Sequence, residues 1–208
     1  MSSDGFRGVV NALRSSPCRM LDNACPIALD AFFCGYWGID QGIKALISEA
    51  LSDVEGPSGL SPCARVYLAM GQGQPSFKII LDRIDETLLR MPPVEEAGPY
   101  SGFSFIQLVG DSIRKGRLGI VLGEPTVSWL QNYYSGFESA LANLNPDLFT
   151  EESERMKAFN LWLQQRYRIG PSSCWRAIRT FEGAGETGVH AFVKLWDQFQ
   201  AVNDNDGQ

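Results

Sequence analysis

Two stretches decide how this chain is read: LRSSPCRMLDNACPIALDAFFCGY, Leu13 to Tyr36, and IRKGRLGIVLGEPTVSWLQNYYSGF, Ile113 to Phe137. Arg14 and Arg114 lie 100 positions apart, and the aromatic segments then align at an offset of 101. At that offset Leu29, Phe32, Phe33, Gly35 and Tyr36 match Leu130, Tyr133, Tyr134, Gly136 and Phe137. The apolar members of each set fall at i, i+3, i+4 and i+7, which is one face of an α-helix. Pro26 and Pro125 suit the first turn of those helices, where the missing N–H costs nothing.

The match continues further along the chain. CARVYLAMGQGQPSFKIIL (Cys63 to Leu81) faces LQQRYRIGPSSCWRAIR (Leu163 to Arg179), with Tyr67 opposite Tyr167 and Phe77 opposite Trp175. Each runs from a helix ending in Tyr, through a Gly/Pro/Ser turn, to an aromatic residue that opens the next helix. Self-similarity over a fixed interval is the mark of duplicated units. The expected architecture is therefore all-α: two similar bundles of about four helices, related by internal duplication, over residues 1–98 and 99–208. Two further stripes support helices in the second unit. Phe159, Trp162, Leu163 and Tyr167 form one, and Val189, Phe192, Val193, Trp196 and Phe199 form the other. Strand flavour is confined to Ile120–Leu122 and Lys78–Leu81.

Punctuation residues mark the expected loops. Met91 to Gly102 (MPPVEEAGPYSG) reads as the inter-unit linker, Gly56 to Pro62 as a break in the first unit, and Asn145 to Glu154 (NPDLFTEESE) as its counterpart in the second. The tail NDNDGQ is expected to fray.

Composition narrows the function classes. Of 208 residues, 44% are hydrophobic and 20% charged, enough apolar matter for a buried core. Lys plus Arg is 18 and Asp plus Glu is 24, a net charge of -6. Nonspecific nucleic-acid binding needs a basic surface to displace counterions from phosphate. Neither half supplies one: residues 1–100 carry 8 basic and 12 acidic groups, and the rest 10 and 12. The greasiest run, Ala31 to Ile39, is far short of the roughly 20 residues of a membrane helix. No export signal is evident, so five reduced cysteines in a cytoplasmic protein are expected: Cys18, Cys25, Cys34, Cys63 and Cys174. Cys18, Cys25 and Cys34 lack CxxC spacing, and simple burial explains such thiols better than zinc.

No motif for a nucleophile, metal, phosphate or dinucleotide is present, and the single histidine, His190, flanks a helical stripe. No catalytic residue, metal or cofactor is expected. The acids come in patches, and those in loops are candidates for meeting a basic partner. They are Glu95 and Glu96 in the linker, and Glu151, Glu152 and Glu154 in the second-unit loop.

The stretch Ile113 to Phe137, with the following ESAL, resembles a family of small bacterial immunity proteins encoded beside polymorphic toxins. FNLWLQQRYRIGPSSCWRAI and the aromatic helix ending DQF resemble that family's second half. The resemblance covers residues 105–200 and, more loosely, 9–92. Two departures stand out: RLGIVLG (Arg117 to Gly123) lacks the family's Pro and Met-Tyr, and CRMLDN in the first unit lacks its glycines. The resemblance implies a non-enzymatic antitoxin that binds a cognate toxin and occludes a basic active-site cleft. A small enzyme of unrecognised class and a helical adaptor are the alternatives that the residues leave open.

Overall fold

The computed structural model describes residues 3–22, 24–37, 40–57, 60–70, 74–90, 104–114, 126–171, 173–182 and 188–206. Among these residues there are only helices: ten α-helices, one short 3-10 turn and no strand. They are α1 (Ser3–Ser15), α2 (Pro26–Trp37), α3 (Gln41–Ala50), α4 (Pro62–Met70), α5 (Gln74–Arg90), α6 (Phe105–Arg114), α7 (Val127–Leu144), α8 (Pro146–Tyr167), α9 (Cys174–Glu182) and α10 (Gly188–Asp206). The 3-10 turn covers Pro17–Arg19.

Local chemistry explains where these helices begin. The Asp40 side chain accepts a hydrogen bond from Gly42 N at 3.0 Å and caps α3. Ser61 Oγ accepts from Ala64 N at 3.1 Å and caps α4, with Pro62 at the first helical position. Ser104 and Gln107 form a capping box at α6: Ser104 N donates to Gln107 Oε1 (2.8 Å), and Gln107 N donates to Ser104 Oγ (3.4 Å). Thr126 caps α7, accepting from Trp129 N at 3.2 Å, while Pro125, expected in the first turn, lies outside the described residues.

One expected break is corrected. Asn145 to Glu154 is helical from Pro146 onward, so α7 and α8 meet at Asn145 without an intervening loop. Pro146 stops one helix because it cannot continue it, and it starts the next because its fixed φ suits a first turn. Glu152, Met156, Phe159 and Leu163 then bury one face of α8. In the tail, α10 runs to Asp206, and residues 207–208 lie outside the described residues. Lys78–Leu81 lies inside α5, while Ile120–Leu122 and the linker 91–102 fall outside the described residues. Gly56–Pro57 and Leu60 do lie in the non-helical connection before α4. The count also exceeds the expected eight or so, since α1 and α3 carry amphipathic stripes outside the repeat matches.

The chain divides into two compact units, residues 1–102 with 131–146, and residues 103–130 with 147–208. This division does not follow the 98/99 repeat boundary: most of α7 belongs with the first unit. In that unit α5 packs on α1, α2, α3 and α4. Its core joins Phe6, Leu13, Leu29, Phe32, Phe33, Tyr36, Leu46, Ile80 and Ala140, with Phe6 against Tyr36 at 5.1 Å between ring centroids. Arg14 fastens α1 to α5 through Asp82 (3.0 Å) and Asp85 (3.3 Å).

Within the same unit α2 crosses α7 at closest approach on two glycines. A Cβ built on Gly35 would overlap the Tyr133 carbonyl group, with the carbon at 2.8 Å. One built on Gly136 would overlap the Phe32 carbonyl, with the carbon at 2.7 Å. Two polar contacts flank the crossing: Asp22 N donates to Asn132 Oδ1 (2.8 Å), and Asn143 Nδ2 donates to Tyr36 Oη (3.3 Å).

The second unit is built on aromatic packing. The Phe192 ring meets Phe105 at 5.8 Å, Phe159 at 5.6 Å and Trp175 at 5.5 Å, joining α6, α8, α9 and α10. Phe159 also packs on Trp196 at 4.8 Å.

Candidate partner-binding surface

The expected contact acids separate when placed on the fold. Glu95 and Glu96 lie outside the described residues. Glu151 and Glu154 are exposed on α8, but Glu152 is only 1% exposed and is removed from any docking surface. A loop would leave position 152 exposed, but the segment is helical. On a helix, position 152 falls in line with Met156, Phe159 and Leu163. Its carboxylate pairs with Arg155 at 3.2 Å, one turn along.

The outward face of α8 carries a continuous ridge, flanked by the exposed Arg155 and Lys157. Asp147, Glu151, Glu154, Ala158, Leu161 and Gln165 are all exposed, and they follow one another at alternating spacings of four and three. The ridge is acidic at the start of α8 and apolar in its middle, where Leu161 is 54% exposed. At the far end Arg166 lies over Trp162 at 5.3 Å and over Tyr167 at 5.9 Å, a guanidinium held against two π faces. Arg168 follows with a left-handed backbone (φ 51), and Ile169 N closes the helix end by donating to Gln164 O at 3.2 Å.

A second acidic neighbourhood lies in the first unit. An open groove of about 510 Å³ is lined by Glu49, Ser52, Asp53, Arg83, Glu86 and Arg90, among others. Its charges are largely matched internally. Arg83 pairs with Asp53, and Arg90 with Glu86 at 3.8 Å. The groove offers a basic partner much less uncompensated charge than the N-terminal end of α8.

One buried charge also calls for a role. Asp30 is 4% exposed on α2 and accepts a hydrogen bond from the Ser61 hydroxyl, the same hydroxyl that caps α4. Burial pushes its carboxyl up to about 6, against the downward pull of the Ser61 hydrogen bond. The arrangement ties α4 to α2. Burial, with Asp30 nearby, also raises the Cys34 and Cys63 thiols well above the ordinary range, and burial raises Cys174 to about 12. These three are protonated near neutrality and are poor nucleophiles. The described cysteines form no disulfide. Among the described residues no three His, Cys, Asp or Glu side chains converge as a metal site would require, and no helix is long and apolar enough to cross a membrane. His190 is exposed on α10.

The chain matches no protein-family model, no curated protein and no solved structure. Its surface must therefore be read from its own residues.

Proposed function

We propose that this protein is a non-enzymatic immunity protein of the bacterial polymorphic-toxin kind, which neutralises a cognate toxin by direct contact. The observation that carries the reading is the sequence pattern of residues 113–137 and 159–199, which resembles that family. Its signature residues Leu130, Gly136, Phe137, Phe159, Trp175, Phe192 and Trp196 are packing residues in the fold. The pattern thus encodes a scaffold, leaving the outward surface available to suit a particular partner. We also read the reciprocal glycine crossing of α2 and α7 as the remnant of an internal duplication, because the offset of 101 relates both its glycines and the residues they touch.

Contact is assigned to the acidic end of α8. A toxin active site that handles phosphates is a concave, basic cleft. Asp147, Glu151 and Glu154 form a convex acidic ridge that would enter it and mimic the substrate's charge. The buried, protonated thiols and the exposed lone histidine support binding over catalysis.

Co-expression of the chain with the genes that flank it, followed by purification, tests the reading. The expected result is a stoichiometric complex with a toxin domain whose activity the chain suppresses. Association of the Glu151→Lys/Glu154→Lys variant should be slower than wild type and less sensitive to salt. Recovery of the chain without any such partner, and no protection of cells against a neighbouring toxin, would reject the reading.

A further inference from the structure

The ridge on α8 is self-complementary. Its exposed residues recur at alternating steps of four and three, the spacing by which one helix lies along another in a left-handed coil. α8 has 22 residues, a rod of about 33 Å. Negative charge collects at its start, on Asp147, Glu151 and Glu154, and positive charge at its end, on Arg166 and, just past the helix, Arg168; Arg155 and Lys157 flank the ridge near its middle. Between them stand Ala158 and Leu161, one small and one large apolar side chain, both open to solvent.

Internal electrostatics account for part of this pattern, since acids favour a helix start and bases a helix end. They do not account for Leu161, whose exposed side chain gains nothing from the dipole. An antiparallel copy of the same helix accounts for both features. With a two-fold axis passing between positions 158 and 161, Leu161 of each chain fills the space over Ala158 of the other. Glu154 then meets the second copy's Gln165, with its Arg166 alongside, and Glu151 lies toward the helix end that Arg168 follows. The acidic end of each helix thus lies on the basic end of its mate, whereas a parallel pairing would set like charges together. Such a contact is isologous, as two-fold dimers require.

We infer that this chain forms an antiparallel homodimer through the exposed ridge of α8, with the Leu161–Ala158 pair at its centre and the Glu151/Glu154 and Arg166/Arg168 ends crossed. The inference concerns the protein alone and stands without the toxin reading. If both hold, a second copy and the toxin compete for the same ridge. A single helix face falls at the small end of specific interfaces, so the dimer is weak and depends on concentration.

Sedimentation equilibrium of the purified chain from about 1 to about 500 µM tests it, a range that brackets weak association. The wild-type mass should climb from 23.0 kDa toward twice that value. Leu161→Asp should remain monomeric throughout while keeping the wild-type far-UV circular dichroism. The all-basic variant Glu151→Lys/Glu154→Lys and the all-acidic variant Arg166→Glu/Arg168→Glu should each associate at least tenfold more weakly. An equimolar mixture of the two should restore dimer, as a heterodimer, because one end re-forms the wild-type charge contact and the other re-forms it with its sign reversed. A wild-type chain that stays monomeric over the whole range overturns the proposal. So does a Leu161→Asp variant that dimerises like wild type, which would place the contact on another face, or a mixture that fails to restore association.

Discussion

Gly35 and Gly136, 101 residues apart in sequence, each lie against a main-chain carbonyl of the other's helix, Gly35 on Tyr133 and Gly136 on Phe32. Neither position has room for a Cβ, and the obstacle is backbone, which cannot rotate aside. In a helix interior alanine would normally be favoured over glycine by about 1 kcal/mol. Here the overlap should reverse that sign. Gly35→Ala and Gly136→Ala should each destabilise the protein by roughly 1–3 kcal/mol in urea titration, the range for overpacked sites. Gly8→Ala is the control, since α1 leaves open space there. It should gain up to about 1 kcal/mol. Equal effects at all three positions would show that the crossing is looser than described.

Asp30 sets an expected pH dependence. Its carboxyl sits at about 6 in the fold against an ordinary value of 3.8, so the folded state holds the proton more tightly than the unfolded chain. The stability linked to that proton is fully present below about pH 3.8 and is lost as pH rises through about 6. Asp30→Asn should abolish the loss and keep an acceptor for the Ser61 hydroxyl. At pH 8 the variant should be more stable than wild type by up to about 3 kcal/mol, with the gap closing toward pH 4. Parallel stability curves for the two proteins across that range would refute this account of the buried carboxylate.

Glu152 and its neighbours should part company on charge reversal. Glu152→Lys places an ammonium among apolar side chains beside Arg155 and should cost roughly 3–5 kcal/mol. Glu151→Lys and Glu154→Lys alter exposed charges and should each stay within about 0.5 kcal/mol of wild type. Thermal unfolding of the three single variants decides the matter, and similar melting temperatures would mean that position 152 faces water.

Large-to-small changes in either aromatic core should be severe. Phe33 and Phe159 are fully buried, one in each unit, and each packs against other rings. Phe33→Ala and Phe159→Ala should each cost roughly 3–5 kcal/mol. A denaturant midpoint close to wild type for Phe33→Ala would indicate that the α2 face is open.

Thiol reactivity should follow burial. Cys18 is exposed, whereas Cys63 and Cys174 are buried with raised pKa values. A colorimetric disulfide reagent at pH 8 should modify Cys18 within minutes and reach Cys63 and Cys174 only on unfolding, because it needs an accessible thiolate. Rapid titration of all five cysteines in the native protein would contradict the packing around α4 and α9.

The sequence by itself determined the helical class, the apolar stripes of α2, α7, α8 and α10, and much of the aromatic packing those stripes supply. Those features depend on spacing within a single helix, and Leu29, Phe32, Phe33 and Tyr36 declare it without reference to anything distant. It also marked Gly35 and Gly136 as counterparts. Only the tertiary structure decided that the two glycines touch each other's helices, since a crossing depends on two segments meeting, and no local pattern records that. Tertiary structure likewise decided the state of Asn145 to Glu154. Its Pro, Asp and Glu residues resemble loop punctuation, yet the same residues open a helix once Met156, Phe159 and Leu163 have a core to bury against. That one change of state turned Glu152 inward, left Glu151 and Glu154 outward, and brought Ala158 and Leu161 into line with them. Which acids on α8 meet solvent could be decided only by where the helix packs, because that sets the face it hides.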